Sequence, residues 1–409
     1  MHRSLVVLGL GGWALGCGGQ APAAPVPGAV RPGIDVLLTD SLAMVRGRRV
    51  GLVTNQAGVD AQGISDVVRL RTAGVGLVAL FSPEHGFRGA AEPGAAVASA
   101  IDSATGLPIY SLYGRNTAPT DAMLEGIDLL LIDLQDVGAR YYTYLFTTVE
   151  VMRAAARRGI RVVVLDRPDP IGGAVQGNVL NPAHASPVGL LAVPMRYGMT
   201  LGELARLARS DLRLGGDLAV VPASGWRRAD GIETTRLPFV PPSPNLRSIE
   251  SLYHYPGLCL FEGTTLSVGR GTAAPFEQIG APWLDTAAVL ARVRRAGLQG
   301  VRFAGVTFTP DRPGDSKYAD TLLAGIRLQV TDRTAYDPPS VAVHLLAAIR
   351  AVQPDKFAWI PAQFDRLAGG PALREQLQAG TAPAAIVRGW EPALEHFRER
   401  RREALLYPE

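Results

Sequence analysis

Apolar residues gather in four short runs in the first half of the chain, Val50–Thr54, Val75–Phe81, Ile127–Asp133 and Ile160–Asp166, and each run gives way to a polar cluster. Runs this short and this continuously apolar, such as Ile127-Asp-Leu-Leu-Leu-Ile, predict strands buried on both faces. Between them the spacing becomes helical. Ile64–Ala73 and the shorter Ala118–Glu125 predict helices. Leu145, Phe146, Val149, Met152, Ala155 and Ala156 recur at helical intervals before Gly159 supplies a stop. The alternation predicts an α/β fold, a parallel sheet with helices on both faces. The four polar clusters then meet at one rim, where open α/β sheets bind ligands, so an enzyme is the leading expectation.

Around Val188–Tyr197 the texture changes. Pro-rich loops at Pro238–Pro244 separate less regular elements. Val301–Thr309 and Gly325–Thr331 read as strands, the second alternating Ile326, Leu328 and Val330 with Arg327 and Gln329. Val341–Val352 is an amphipathic helix, and the tail predicts helices at Pro371–Gln378 and Glu391–Leu406. These signals place a boundary near residue 190, between an α/β domain over 33–190 and a smaller α+β domain over 191–409.

At 409 residues the chain exceeds the usual size of a single core, consistent with two domains. The composition, 47% hydrophobic and 19% charged, is that of a globular protein. Of 41 basic residues only Lys317 and Lys356 are lysines, a skew that fits coding bias. No dense basic run with interleaved aromatics supports nucleic-acid binding. Residues 1–16 resemble a secretory leader: His2 and Arg3, then an apolar stretch from Leu5 to Leu15 that is short for a membrane span. Gly16-Cys17 resembles a lipoprotein cleavage site, although Ala14-Leu15 reverses the usual order of small and large residue. Lipidation of Cys17 and simple cleavage near Ala21–Ala24 both stay open, with 1–32 forming leader and Ala/Pro-rich tether. The protein is then expected to be exported, as a periplasmic protein or an outer-membrane lipoprotein. Gly9-Leu-Gly-Gly lacks the strand–helix context of a dinucleotide fingerprint. The second cysteine, Cys259, lies in an apolar segment and reads as a buried side chain, so no disulfide is expected.

Candidate chemistry lies just beyond the runs. Asn55 follows the first. Glu84, between Pro83 and His85, sits on a glycine-rich turn with Arg88 close behind, and is either a general acid or a loop carboxylate capping a helix or pairing with Arg88. Asp133, Asp136 and Arg140 precede Tyr141, Tyr142 and Tyr144. Tyrosine rings pack on apolar sugar faces while carboxylates accept hydroxyl protons; alternatively the rings fill the core and Asp136 caps a helix. Asp166, Arg167 and Asp169 form another rigid turn. Asp133, Asp136, Asp166 and Asp169 have oxygen ligands suited to Mg²⁺, but no recognised metal spacing, so no metal is expected. Further along, Asn245 and Arg247 follow Pro244, and Glu262 and Arg270 lie among small residues that allow close approach of a ligand. Ser82 lacks a nucleophile elbow, and His85 and His254 are isolated.

Taken together, Ser82-Pro-Glu-His-Gly-Phe-Arg-Gly, Asp133-Leu-Gln-Asp-Val-Gly-Ala-Arg-Tyr-Tyr-Thr-Tyr, Leu165-Asp-Arg-Pro-Asp-Pro, Pro244-Asn-Leu-Arg and Phe261-Glu-Gly-Thr with Gly269-Arg-Gly-Thr resemble a bacterial family long described only as a domain of unknown function. It is now associated with exo-β-N-acetylmuramidases of peptidoglycan turnover. The tail, Phe364-Asp-Arg-Leu through Trp390 to Tyr407, is similar as well, so the resemblance spans about Gly33 to Tyr407. It implies a Rossmann-like N-terminal domain, a smaller C-terminal domain, and a cleft between them that removes N-acetylmuramic acid from the non-reducing end of glycan fragments. It makes Glu84 the leading catalytic candidate, as acid, with Asp136, Glu262 or the substrate's own acetamido group as second participant. Arg140 and Arg270, then Arg247 and Arg167, are the cations suited to the lactyl carboxylate. No nicotinamide cofactor is expected. Small peptidoglycan-derived saccharides are the expected partners, with membrane contact through Cys17 only. The rival readings are a metal-dependent phosphoester hydrolase and a non-catalytic muropeptide-binding lipoprotein.

Overall fold

Twelve strands make up the β structure of a computed structural model that describes residues 29–408. The leader and Cys17 lie outside the described residues. In chain order the strands are β1 (Arg49–Thr54), β2 (Gly76–Ser82), β3 (Ala100–Ile101), β4 (Pro108–Ser111), β5 (Leu129–Asp133), β6 (Arg161–Leu165), β7 (Gln176–Val179), β8 (Pro194–Arg196), β9 (Leu218–Val221), β10 (Gln278–Ala281), β11 (Val301–Phe308) and β12 (Leu323–Val330). The four apolar runs form β1, β2, β5 and β6, the core of a seven-stranded sheet ordered β3-β4-β2-β1-β5-β6-β9. Every pairing in it is parallel except that of the short edge strand β3. The fold is therefore α/β and Rossmann-like.

Alternation along these strands builds two cores. Val50, Leu52, Leu80, Leu129, Leu131, Val163 and Leu165 face one layer, which helices Gly33–Asp40 and Asp66–Thr72 cover with Ile34, Leu37, Val67 and Leu70. Val53, Phe81, Leu130, Ile132, Val162 and Val164 face the other, under helices Tyr144–Arg157 and Leu201–Asp211. Each layer removes side chains from water on one face, which explains why the runs are continuously apolar. Gly33 sits so close to the sheet that a Cβ would lie 2.4 Å from the backbone nitrogen of Asp166.

Two expectations change. Ala118–Glu125 is a series of turns and not a helix: Leu124 N–H is shared between the carbonyls of Thr120 and Asp121, both at 3.2 Å. Pro119 and Gly126 leave too few residues to repay helix nucleation. The boundary expected near residue 190 falls within the run of chain that builds the large sheet, because β9 pairs with β6 along Val162–Leu165 and Leu218–Val221.

The second half adds an antiparallel sheet, β10-β12-β11, backed by helices Ile249–Leu258 and Thr286–Arg295, on which helix Pro338–Val352 packs in turn. After helices Pro361–Ala368, Ala372–Gln378, Pro383–Arg388 and Glu391–Arg401, the tail returns to the first half. There Arg401 donates to the carbonyls of Tyr197 and Gly198, and Tyr407 donates to Asp166 at 2.6 Å. These bonds clamp the two halves together.

Candidate functional site

The large sheet reverses its winding between β1 and β5, and a cavity of about 320 Å³ lies beyond the carboxyl ends of the strands near this point. Both halves of the chain line it. From the first come Glu84, His85, Gly94, Tyr113, Tyr141, Tyr142 and Thr143. The second contributes Asn245, Tyr255, Glu262, Arg270, Phe276, Asp315, Gln363 and Arg366.

Glu84 follows β2 by two residues on a turn in which His85 takes a left-handed conformation, φ 71°. Such a backbone is costly for a non-glycine residue and is typical of functional turns. The Gly94 N–H donates to Glu84 Oε1 at 2.9 Å, and the Thr143 hydroxyl donates to Oε2 at 2.8 Å. The phenol of Tyr113, first through burial and then through the charge of Glu84, is pushed up to about 12 and stays protonated. His85 Nδ1 donates to the carbonyl of Ala91 at 2.8 Å. Burial lowers its pKa against the opposing pull of Glu84, so the neutral ring keeps Nε2 as an acceptor.

Tyr141 and Tyr142 place their rings on the cavity while their hydroxyls reach across the chain, donating to Pro256 O at 3.0 Å and Pro242 O at 2.9 Å. Tyr255 meets both edge-on, with centroids 6.1 and 6.4 Å away, and stands edge-on to Phe276 at 4.9 Å. The result is an aromatic wall locked by hydrogen bonds to the other half of the molecule.

Glu262 enters from the short 3₁₀ turn Cys259–Gly263. Its Oε1 receives both Nη2 and Nε of Arg270, at 2.6 and 2.7 Å, a charge-assisted contact that fixes both side chains. Arg270 also stacks over Phe276, 5.0 Å from its centroid, and its Nη1 has no hydrogen-bond partner. Lys317 anchors the same turn, donating to the carbonyls of Glu262, Thr264 and Leu266 at 2.9, 2.7 and 3.1 Å. Asn245, also buried, presents Nδ2 at the cavity wall without a partner.

The remaining sequence candidates do not line this cavity. Asp136 accepts from the Tyr197 hydroxyl and from Gly138 N–H at 2.9 Å, and burial pushes its pKa to about 6. Asp133 pairs with Arg167 at 2.5 Å, and Arg167 also donates to the carbonyl of Val59. Asp166 accepts from Thr200, Tyr407 and the Gly202 N–H. Asp169 accepts from Ile171 N–H and packs so tightly that a Cβ on Gly138 would come within 2.5 Å of it. Arg140 braces the interface between the halves, its two terminal nitrogens donating to the carbonyls of Asn178, Val193 and Leu367. Asn55 donates to Tyr144, which donates to Pro242 O. Arg88 is exposed, 3.8 Å from Asp102, and Arg247 is exposed with Nε on Pro244 O. The four aspartates thus have separate partners, and among the described residues no three His, Cys, Asp or Glu side chains gather to hold a metal.

Tyr113, Thr143, Tyr255, Phe276, Asp315, Gln363 and Arg366 were not legible as site residues. Thr143 and Arg366 stand inside quoted motifs, the one signal that singled out their segments. Their roles come from contacts with residues far along the chain.

Comparisons with known proteins agree on both halves. Residues 50–250 match the family described as exo-β-N-acetylmuramidase NamZ, N-terminal, and residues 253–407 its C-terminal counterpart. The chain is 42% identical over 381 residues to the peptidoglycan β-N-acetylmuramidase NamZ of Bacillus subtilis (strain 168), covering 92% of this chain and 91% of that protein. Two solved DUF1343 family proteins from Bacteroides fragilis NCTC 9343 share the fold. One has a TM-score of 0.86 at 33% identity and the other 0.76 at 30%; both cover 93% of this chain and 99% of theirs.

Proposed function

We propose, starting from the fact that the chain belongs to the exo-β-N-acetylmuramidase NamZ family, that this protein is a glycoside hydrolase removing terminal N-acetylmuramic acid from the non-reducing end of peptidoglycan fragments. The observation that carries this is the meeting of Glu84 and Glu262 on one cavity that also presents aromatic rings and the unpartnered donors of Arg270 and Asn245. Glycoside cleavage needs a proton for the leaving oxygen and a negative group to support the oxocarbenium-like transition state.

In this scheme Glu84 is the acid. Thr143, which now donates to it, can also rotate to accept, so that contact serves both protonation states. The second participant is Glu262, held by Arg270, or the substrate's own acetamido group. Asp136 has no place here, because its side chain is enclosed with Tyr197 behind the cavity wall. The faces of Tyr141, Tyr142 and Tyr255 suit the apolar face of a sugar ring, and Asn245 Nδ2 suits a hydroxyl or amide oxygen. We extend the proposal to export, with a lipid on Cys17, on the leader-like pattern of residues 1–17.

The test is mass analysis of products after incubation with a disaccharide ending in N-acetylmuramic acid, beside Glu84→Gln. Free N-acetylmuramic acid is expected with the parent protein, and none from the variant at unchanged folding. Tight retention of the disaccharide without cleavage would favour a binding protein. Near-normal turnover by Glu84→Gln would remove Glu84 from the acid role.

A further inference from the structure

Charge around the cavity is balanced in an uneven way. Glu84, Glu262 and Asp315 line it, and so do Arg270 and Arg366. Lys317, adjacent to Glu262 and Asp315, supplies a third positive charge from within its cage of carbonyls. Once Glu84 carries the proton that an acid must deliver, the set has one positive charge in excess.

The excess resides on Arg366. Arg270 is tied to Glu262 by two contacts, and Lys317 is saturated by backbone oxygens. Arg366 makes no hydrogen bond or ion pair among the described residues, and the one acid of its helix, Pro361–Ala368, is taken: Asp365, one position before it, is held bidentately by Arg374 at 2.7 and 2.8 Å. Gln363, Arg366 and Leu367, spaced as one helical face, are the residues this helix turns to the cavity. Glu84 and Arg366 both act electrostatically on Tyr113, which puts them along the same stretch of wall.

An N-acetylmuramoyl residue differs from an N-acetylglucosaminyl one by a lactyl ether on C3, two ring carbons from the scissile anomeric centre, with its carboxylate reaching outward from there. A cation that reads it must line the same cavity as the acid, outside the reacting atoms, and must have its donors free. We propose that Arg366 is the specificity-determining residue of this site, the guanidinium that binds the lactyl carboxylate of N-acetylmuramic acid. The proposal rests on the muramidase reading above. Among the sequence candidates for this role, Arg140 and Arg167 are enclosed in protein contacts, Arg247 stands off the cavity, and Arg270 spends Nε and Nη2 on Glu262, which leaves it Nη1 alone and no free fork for a carboxylate.

The experiment compares the full chain with Arg366→Ala and Arg366→Lys. Binding of free N-acetylmuramic acid and of N-acetylglucosamine is measured by calorimetry, and turnover on a chromogenic β-N-acetylmuramide. Because Arg366 is exposed, Arg366→Ala is expected to weaken N-acetylmuramic acid binding about tenfold, the lower range for a charge-assisted bond, and to raise KM by a similar factor. N-Acetylglucosamine binding and the thermal unfolding midpoint should stay unchanged, and Arg366→Lys should recover part of the affinity. Equal N-acetylmuramic acid affinity in all three proteins overturns the assignment, as does a parallel loss for both sugars. Failure of the parent protein to cleave the muramide counts against the functional reading itself, while the calorimetric comparison still decides the role of Arg366.

Discussion

Replacing Asp169 by Asn separates the two roles open to this carboxyl, ligand contact and burial. Asp169 is 2% exposed; Oδ1 accepts from Ile171 N–H at 3.0 Å, and Oδ2 has no hydrogen-bond partner. Burial outweighs the Ile171 N–H and the charge of Arg196, pushing its pKa from 3.8 to about 8. Native Asp169 therefore holds a proton at neutral pH that the unfolded chain releases. From pH 3.8 to about 8 the native state binds the extra proton, so stability falls as pH rises, by about 1.4 kcal/mol per unit, and levels off above. Asp136 and Asp166, each pushed to about 6 chiefly by burial, act with the same sign but only below about pH 6. His85, lowered by burial, acts with the opposite sign and is present in both proteins. Asp66, which burial raises well above the ordinary carboxylate range, also acts with the same sign but is common to both proteins, so the difference between their profiles from pH 6 to 8 isolates Asp169. Urea unfolding should show the parent losing about 2–3 kcal/mol across that interval relative to Asp169→Asn. The variant's kcat should hold, because Asp169 does not reach the cavity. Parallel pH profiles in the two proteins would refute the argument.

Two further predictions concern the clamp and the cavity. Tyr407→Phe removes the donor to Asp166 and the acceptor for Ala223 N–H, at 2.6 and 2.9 Å, and should cost about 2–4 kcal/mol in urea unfolding. An unchanged midpoint would mean that the tail contributes nothing to joining the halves. Glu262→Gln leaves the mostly buried Arg270 without its counterion and should cost about 3 kcal/mol of stability together with most of kcat. Full turnover with that loss of stability would leave Glu262 a purely structural role and favour the substrate's acetamido group as the second participant.

The α/β class, the four principal strands and the segments bearing Glu84, Glu262 and Arg270 were determined by sequence alone. Continuous apolar runs between amphipathic stretches admit few arrangements other than a parallel sheet covered on both faces. The same reading could not rank the acids. Glu84, Asp133, Asp136, Asp166 and Asp169 all lie at or just beyond strand ends beside similar polar turns, and local texture assigns each the same promise. Tertiary structure separates them through donors far along the chain. Tyr197 lies 61 positions from Asp136 and Tyr407 lies 241 from Asp166, and these donors enclose their carboxylates. Glu84 instead meets Gly94 and Thr143 at the cavity surface. Arg140 and Arg366 show the same limit from the cationic side. Both stand in quoted motifs, yet the first serves as an interface brace while the second, one polar position on a short helix, faces the cavity. Strands and helices follow from the period of neighbouring residues, but whether a charge is enclosed or presented depends on what packs over it, and that is set by chain folded back from far away.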